Sequence, residues 1–339
     1  MNDGTGIERL PLGIRLLSAV RKAPDWSTMT ADELAAFRDA ENRKRSSRLG
    51  RVITGRPVRG VAIRWREVTL PDREVRVREY RPPNEHGGDL PLVLHVHGGG
   101  FVGTAVQCDW ANSYFAASLP AVVVSVEHRL LAEGTPLSAA VDDGWDVLVH
   151  VVQHAAEWGV DPARAVVVGE STGGLIAALS AIRAKASGLR LRAQVLVNPA
   201  TDLTETMFDD ASFTRHADSP TLDMAQLELF QRLAVPPGTD ARALSPLLTE
   251  DLGGLAPALV VLPTVDPLAD QGRRYAERLL ASGTPARLTE HPGAPHGFLS
   301  MPGLVPQAKS ARTEIAEFLR DRLVESRSAA RKSKKAARR

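Results

Sequence analysis

The sequence predicts one doubly wound α/β domain, and three observations carry that reading. Apolar, β-branched-rich runs recur along the chain, helix-period segments alternate with them, and the composition suits a packed core. The 339 residues are 43% hydrophobic and 24% charged, ordinary for a globular chain of this length.

The elements follow in order. The N-terminal 50 residues read as helical, because Thr30-Ala31-Asp32-Glu33 has capping-box spacing. There a hydroxyl and a carboxylate each satisfy an otherwise unpaired backbone N–H. That helix is expected to run towards Gly50, with Leu34 and Phe37 inward and Arg38, Asp39, Glu41, Arg43 and Lys44 on a solvated face. Val61–Leu70 and Val75–Tyr80 then read as two strands joined at Pro71-Asp72, a hairpin signal. Leu92–Val96, Ala121–Val126, Ala165–Val168, Ala193–Val197 and Ala258–Leu262 are continuous apolar runs. Strands buried on both faces of a parallel sheet look like this. A further strand is predicted at Ala286–Glu290. Helical stretches fall near Ala139–His154, Gly173–Ala186, Gly272–Ala281 and Ala308–Leu323. Residues 203–247 break the rhythm, and we read them as an insertion over the site. Residues 51–325 thus form one catalytic domain, joined by the N-terminal helices and the insertion as a cap.

The formal net charge of +2 conceals an asymmetry: setting aside the seven basic residues of 326–339, which has no acid, turns it to −5. That Ala/Ser-interleaved tail reads as disordered and solvated, and nucleic-acid binding is not expected of it. Cys108 is the only cysteine, so neither an intrachain disulfide nor a cysteine-based zinc site fits. We read it as a small buried or loop residue. Asp3 and Glu8 precede any apolar run, and Ile14–Val20 is too short for a secretory core. No stretch approaches the ~18 apolar residues of a membrane span. A cytoplasmic address is expected, and a homodimer is compatible with the sequence.

The chemistry concentrates in three places. Val166-Val167-Val168-Gly169-Glu170-Ser171-Thr172-Gly173-Gly174 is an apolar strand followed at once by G-x-S-x-G and a helix. A serine hydroxyl is a weak nucleophile and must be held exposed beside a base. A strained strand-to-helix turn does that, with Gly169 and Gly173 giving the backbone room. His97-Gly98-Gly99-Gly100-Phe101 follows the strand Leu92–Val96. Such a loop lets backbone N–H groups approach a developing oxyanion, and Gly99, Gly100 and Thr172 are the candidate donors. A phosphate cradle is a poor reading, since neither G-x-x-x-x-G-K-[ST] nor G-x-G-x-x-G is present. His95 and His97 lack a third ligand nearby, so no metal is expected. Asp266 follows one strand in Val265-Asp266-Pro267-Leu268, and His296 follows another in Pro295-His296-Gly297-Phe298. Each therefore leaves the carboxyl end of a strand, where open α/β sheets build their sites. Asp270 and His291 are the rivals; the former suits the first turn of a helix.

With those motifs in order, the chain resembles the hormone-sensitive-lipase-like (family IV) esterases of the α/β-hydrolase superfamily. The likeness spans about Val61 to Leu323, carried by HGGGF, GESTGG, DPL and HGF. It implies an α/β-hydrolase fold, a mostly parallel sheet flanked by helices with a helical cap. It also implies a serine carboxylic-ester hydrolase acting on short- to medium-chain acyl esters, without metal or organic cofactor. Ser171, Asp266 and His296 then form the triad, supported by His97, Gly98, Gly169, Glu170 and Gly173. Phe101, Leu222, Leu268 and Phe298 are candidate pocket residues, although Leu222, Met224, Leu227 and Phe230 at helical spacing more often mean core packing. Four places depart from the family pattern: Glu170 where Asp is usual, Thr172 for Ala, Gln271 for an acid, and Glu127–Glu133 for a segment reading D-Y-R-L-A-P-E. The alternatives are an amidase or deacetylase, an acyltransferase on a specialised metabolite, and a receptor on the same scaffold. The intact triad argues against the last.

Overall fold

The computed structural model describes residues 9–20, 24–83 and 89–336, with side chains up to residue 323. Asp3, Glu8 and the last three residues of the basic tail lie outside the described residues. The apolar runs become eight strands: β1 (Ala62–Thr69), β2 (Glu74–Arg81), β3 (Leu90–Val96), β4 (Val122–Val126), β5 (Val160–Glu170), β6 (Leu191–Val197), β7 (Ala258–Val265) and β8 (Ala286–Pro295). They form one sheet in the order β1-β2-β4-β3-β5-β6-β7-β8. The β1–β2 hairpin is antiparallel and closes at Pro71-Asp72 as predicted, and β2 pairs antiparallel with β4. Every pairing from β4 through β3 to β8 is parallel.

Among the described residues, eleven α-helices surround the sheet. They are α1 (Leu12–Val20), α2 (Ala31–Ser46), α3 (Arg51–Thr54), α4 (Asp109–Ser118), α5 (Leu137–Gln153), α6 (Ala155–Trp158), α7 (Thr172–Ser187), α8 (Ala211–Arg215), α9 (Met224–Ala234), α10 (Ala269–Ala281) and α11 (Gln307–Ala336). Two core clusters lie on opposite faces of the sheet, since alternate strand residues divide between them. Leu92, Leu94 and Val96 pack with α5, α7 and α10, whereas Val93 packs with α4 and α11. Burying a Leu or Val here stabilises by about 1.5–3 kcal/mol, which is why continuous apolar runs mark the central strands.

Local chemistry sets the ends. The Thr30/Glu33 capping box forms, with Thr30 N–H donating to Glu33 Oε2 at 2.9 Å. The helix stops at Ser46 instead of Gly50, because Ser47 turns extended and its hydroxyl takes the Lys44 carbonyl at 2.7 Å. Between β6 and β7, α8 and α9 occupy the predicted insertion, with an unforeseen Asp223/Gln226 capping box opening α9. Leu227 and Phe230 of α9 are buried, and Leu222 and Met224 pack partly against the same core. At the other end α11 runs from Gln307 to Ala336.

Candidate active site

Five neighbouring parallel strands, β3, β5, β6, β7 and β8, end on one edge of the sheet. The residues immediately past them are His97, Ser171, Asn198, Asp266 and His296. Four of these were predicted from the sequence, and Asn198 was not.

Ser171 caps α7 with φ 56° and ψ −119°, a conformation that L residues rarely hold. Tight backbone packing imposes it. A methyl on Gly169 would collide with the Gly173 carbonyl and lie 2.7 Å from Gly174 N, and one on Gly173 would lie 2.6 Å from His97 O. Glycine at both positions lets the end of β5 fold against the start of α7, and α7 against the end of β3. Ser171 N–H donates to Val197 O at 2.8 Å, fixing the turn to β6.

The sequence-predicted triad residues come together. Ser171 Oγ lies 2.8 Å from His296 Nε2, and His296 Nδ1 lies 2.8 Å from Asp266 Oδ2. The second carboxylate oxygen, Oδ1, accepts the Leu268 N–H at 2.8 Å. Asp266 is wholly buried, and His296 is 7% exposed. The rivals stand elsewhere: Asp270 accepts from Ser212 N and pairs with Arg273, and His291 faces Glu314 at 3.6 Å. Gln271 ties the strand exit to α10, its carbonyl accepting the N–H groups of Thr201 and Asp202 at 2.8 and 3.1 Å.

The His97–Gly100 loop is held from several sides. Gly99 takes φ 103°, and a methyl there would lie 2.8 Å from Val102 C. Gln107 Nε2 donates to Gly98 O at 3.0 Å, and Arg45 of α2 donates to Gln107 Oε1 at 3.2 Å. Asn42, also of α2, accepts the Gly103 N–H at 3.0 Å. His128 stacks on His97 with ring centroids 4.2 Å apart. Leu131 N–H donates to Gly100 O at 2.8 Å, and the N–H groups of Gly99, Gly100 and Thr172 are not spent on other groups among the described residues. Burial lowers the pKa of His97 and His128 to about 4 and of His95 to about 3, so all three are neutral at pH 7. The departures at Glu127–Arg129 thus serve the loop and its scaffold: Glu127 accepts the Ala105 N–H at 2.7 Å, and Arg129 pairs with buried Asp143.

Glu170 turns away from the serine and accepts a hydrogen bond from Ser300 Oγ. Burial raises its pKa. Cys108 is buried 3.8 Å from Ser300 Oγ, with its thiol pushed well up by burial. Among the described residues, no cluster of three His, Cys, Asp or Glu could hold a metal ion.

Of the four proposed pocket residues, Phe101 and Leu268 share one core cluster with Leu222 packed against it, and Phe298 lies in the other. Phe101 packs on Trp26 at 5.5 Å, and Leu222 is half-buried beside α9. Leu268 and Phe298 are packed into the core on opposite faces of the sheet. The left-handed turn at Gly297, φ 71°, places Phe298 against His291. Asn42, Arg45, Gln107, His128 and Asn198 were missed; for Asn198 the available signal was its place directly after the predicted strand Ala193–Val197.

A strand-turn-helix serine, a strand-end aspartate and a strand-end histidine, in that chain order on a parallel sheet, define an α/β hydrolase. Residues 93–300 match the family described by the alpha/beta hydrolase fold, and the chain belongs to it. It is 37% identical over 246 residues to carboxylesterase NlhH of Mycobacterium tuberculosis, covering 70% of this chain and 75% of that protein. Esterase LipI of the same organism is 35% identical over 251 residues, covering 71% and 76%. The hyperthermophilic esterase of Pyrobaculum calidifontis superimposes with a TM-score of 0.81 at 29% identity, covering 92% of this chain and 98% of that one. No helix among the described residues is long and apolar enough to cross a membrane.

Proposed function

We propose that the protein is a serine carboxylic-ester hydrolase acting on short- to medium-chain acyl esters through an acyl-enzyme. The observation that carries this is the unbroken Ser171–His296–Asp266 hydrogen-bond chain, 2.8 Å at each step. Similarity to carboxylesterases and esterases supports the choice of bond.

In this mechanism Ser171 Oγ gives its proton to His296 Nε2 and attacks the ester carbonyl. The carbonyl oxygen gains negative charge, which the N–H groups of Gly99, Gly100 and Thr172 receive. One such donor is worth about 3–4 kcal/mol of barrier. His296 then gives the proton to the leaving alcohol oxygen; in the second half it takes a proton from water, whose oxygen attacks the acyl carbon, and passes that proton to Ser171 Oγ as the acyl–serine bond breaks. Asp266 holds Nδ1–H and stabilises the imidazolium without taking its proton. The N-terminal helices and α8–α9 act as the cap that bounds the acyl and alcohol pockets; the Phe230 ring beside Gly100 supports this. The reading includes a cytoplasmic address. It also makes the site complete in one protomer, supported by a triad drawn from a single chain, so homodimerisation adds no catalytic group.

Turnover of p-nitrophenyl acetate, butyrate and octanoate by wild type and Ser171→Ala tests the proposal. We expect turnover of the shorter esters and a loss of about 10⁴-fold or more in the variant. A folded wild type inert on all three esters overturns it.

A further inference from the structure

We propose that Asn198 is a positioning residue for His296, a second partner for Nε2 that serves both protonation states of the ring. It is the residue past β6, the one strand of β3, β5, β6, β7 and β8 to whose end the mechanism assigns nothing. Its side chain is fully buried, and Nδ2 lies 3.4 Å from His296 Nε2. That is the carboxamide's one hydrogen-bond contact among the described residues, and Oδ1 has no partner. A buried carboxamide oxygen left unpaired ordinarily costs about 1–3 kcal/mol, so its position calls for a physical reason. The backbone is also unusual: Asn198 and Ser171 are the two non-glycine residues with positive φ among the described residues, Asn198 at 35°. Asn198 N–H donates to Val261 O at 2.8 Å, which holds the backbone in the β6–β7 ladder.

The proton cycle supplies the reason. While His296 is neutral, Nε2 accepts from Ser171 Oγ at 2.8 Å, and the Asn198 amide N–H is a weaker second donor to the same nitrogen. After Ser171 has given up its proton, Nε2 carries a hydrogen, and a donor amide facing it is repelled. A half-turn of the carboxamide breaks no other hydrogen bond among the described residues and presents Oδ1, which accepts Nε2–H. Asn198 thereby keeps the imidazolium in place until the leaving oxygen takes its proton. Neutral asparagine does this without the standing charge of an acid. The titratable groups that act on the ring are Asp266, hydrogen-bonded to Nδ1 from the end of β7, and Glu170, which interacts with it electrostatically from the end of β5.

This inference rests on the triad reading, and the Ser171→Ala assay tests that reading separately. The test here is Asn198→Gly and Asn198→Asp, each compared with wild type for melting temperature, kcat, KM and the pH profile on p-nitrophenyl butyrate. Glycine accepts positive φ freely. If Asn198 served only the packing and the strained turn, Asn198→Gly would leave kcat unchanged whatever happened to the melting temperature. We expect kcat to fall about tenfold with KM held, the loss of one hydrogen bond to a charged group. Asn198→Asp places a carboxylate against Nε2 and favours the imidazolium, so the acidic limb of kcat/KM should move up by about one pH unit. A wild-type kcat in the glycine variant, or an unmoved acidic limb in the aspartate variant that binds and folds normally, overturns the proposal.

Discussion

Around Ser171 the chain packs backbone against backbone, whereas around α9 it packs rings and aliphatic side chains against a loop. A methyl on Gly173 or Gly169 would meet carbonyl and amide atoms of β3 or of α7 itself. A methyl on Gly100 would meet the Phe230 ring, 2.5 Å from Cδ2, and Leu131 Cδ1 at 3.2 Å. Atoms in a sheet ladder or a helix start cannot move without breaking hydrogen bonds, but a ring can turn or be replaced. The contrast teaches which half of the site tolerates change. The nucleophile turn fixes the reaction, and the α9 side is where the shape of the substrate can vary without loss of the chemistry.

The largest expected effect follows from the immovable half. Gly173→Ala should lower turnover by more than about a hundredfold, because it parts α7 from the loop proposed to supply oxyanion donors. Thermal melting and p-nitrophenyl acetate kinetics measure both losses, and a variant of normal rate and stability would break the distinction.

Acid provides the next test, because three buried neutral histidines lie beneath and behind the loop after β3. Their pKa values are depressed in the folded state, by burial first, to about 3 for His95 and about 4 for His97 and His128, from an ordinary 6.5. The unfolded chain therefore binds more protons as pH falls below 6.5. The stability these groups contribute is present above that value and lost on the way down, by up to roughly 1.4 kcal/mol per pH unit for each. Glu170, raised by burial, works in the opposite sense, its contribution being lost as pH rises through its folded pKa. Urea midpoints between pH 7 and pH 4.5 should fall steeply for wild type and less steeply for His128→Gln. Parallel curves would show that these histidines are not what acid attacks.

The smallest effects belong to the movable half. Gly100→Ala should slow turnover about tenfold, and Gly100→Ala/Phe230→Ala should recover most of it, a coupling of about 1–2 kcal/mol between touching groups. Steady-state kinetics of the two single variants and the double variant closes this cycle. If the double variant is no faster than Gly100→Ala, the loop by Gly100 is as immovable as the nucleophile turn.

The nucleophile turn, the triad and most of the sheet were legible because each is a local pattern. An apolar run ends, and a glycine-framed serine, an aspartate or a histidine follows it. What escaped is non-local or polar. Helix α4 reads DWANSYFAAS, without a clear apolar stripe, yet Asn112 and Ser113 are buried with Ala111 and Phe115. The Arg45–Gln107–Gly98 relay joins a helix to a loop over 62 residues, so spacing alone could not reveal it. Asn198 carries no motif, and its meaning depends on the histidine 98 residues later that folds beside it. For Leu268 and Phe298, nearness to the triad in sequence said nothing about their packing into opposite faces of the sheet.

The sheet order has a consequence for the chain during its synthesis. Ser171 leaves a central strand, whereas its base leaves β8, the edge strand, 125 residues later. At about 5–20 residues per second, a ribosome needs on the order of ten seconds to travel between them. Through that interval the nascent chain can assemble the hairpin, β3 to β6 and the serine turn, yet it holds no histidine to draw off the Ser171 proton. The nucleophile is therefore carried unarmed until the last strand docks, and a chain cut short by failed translation or proteolysis is released without hydrolytic activity.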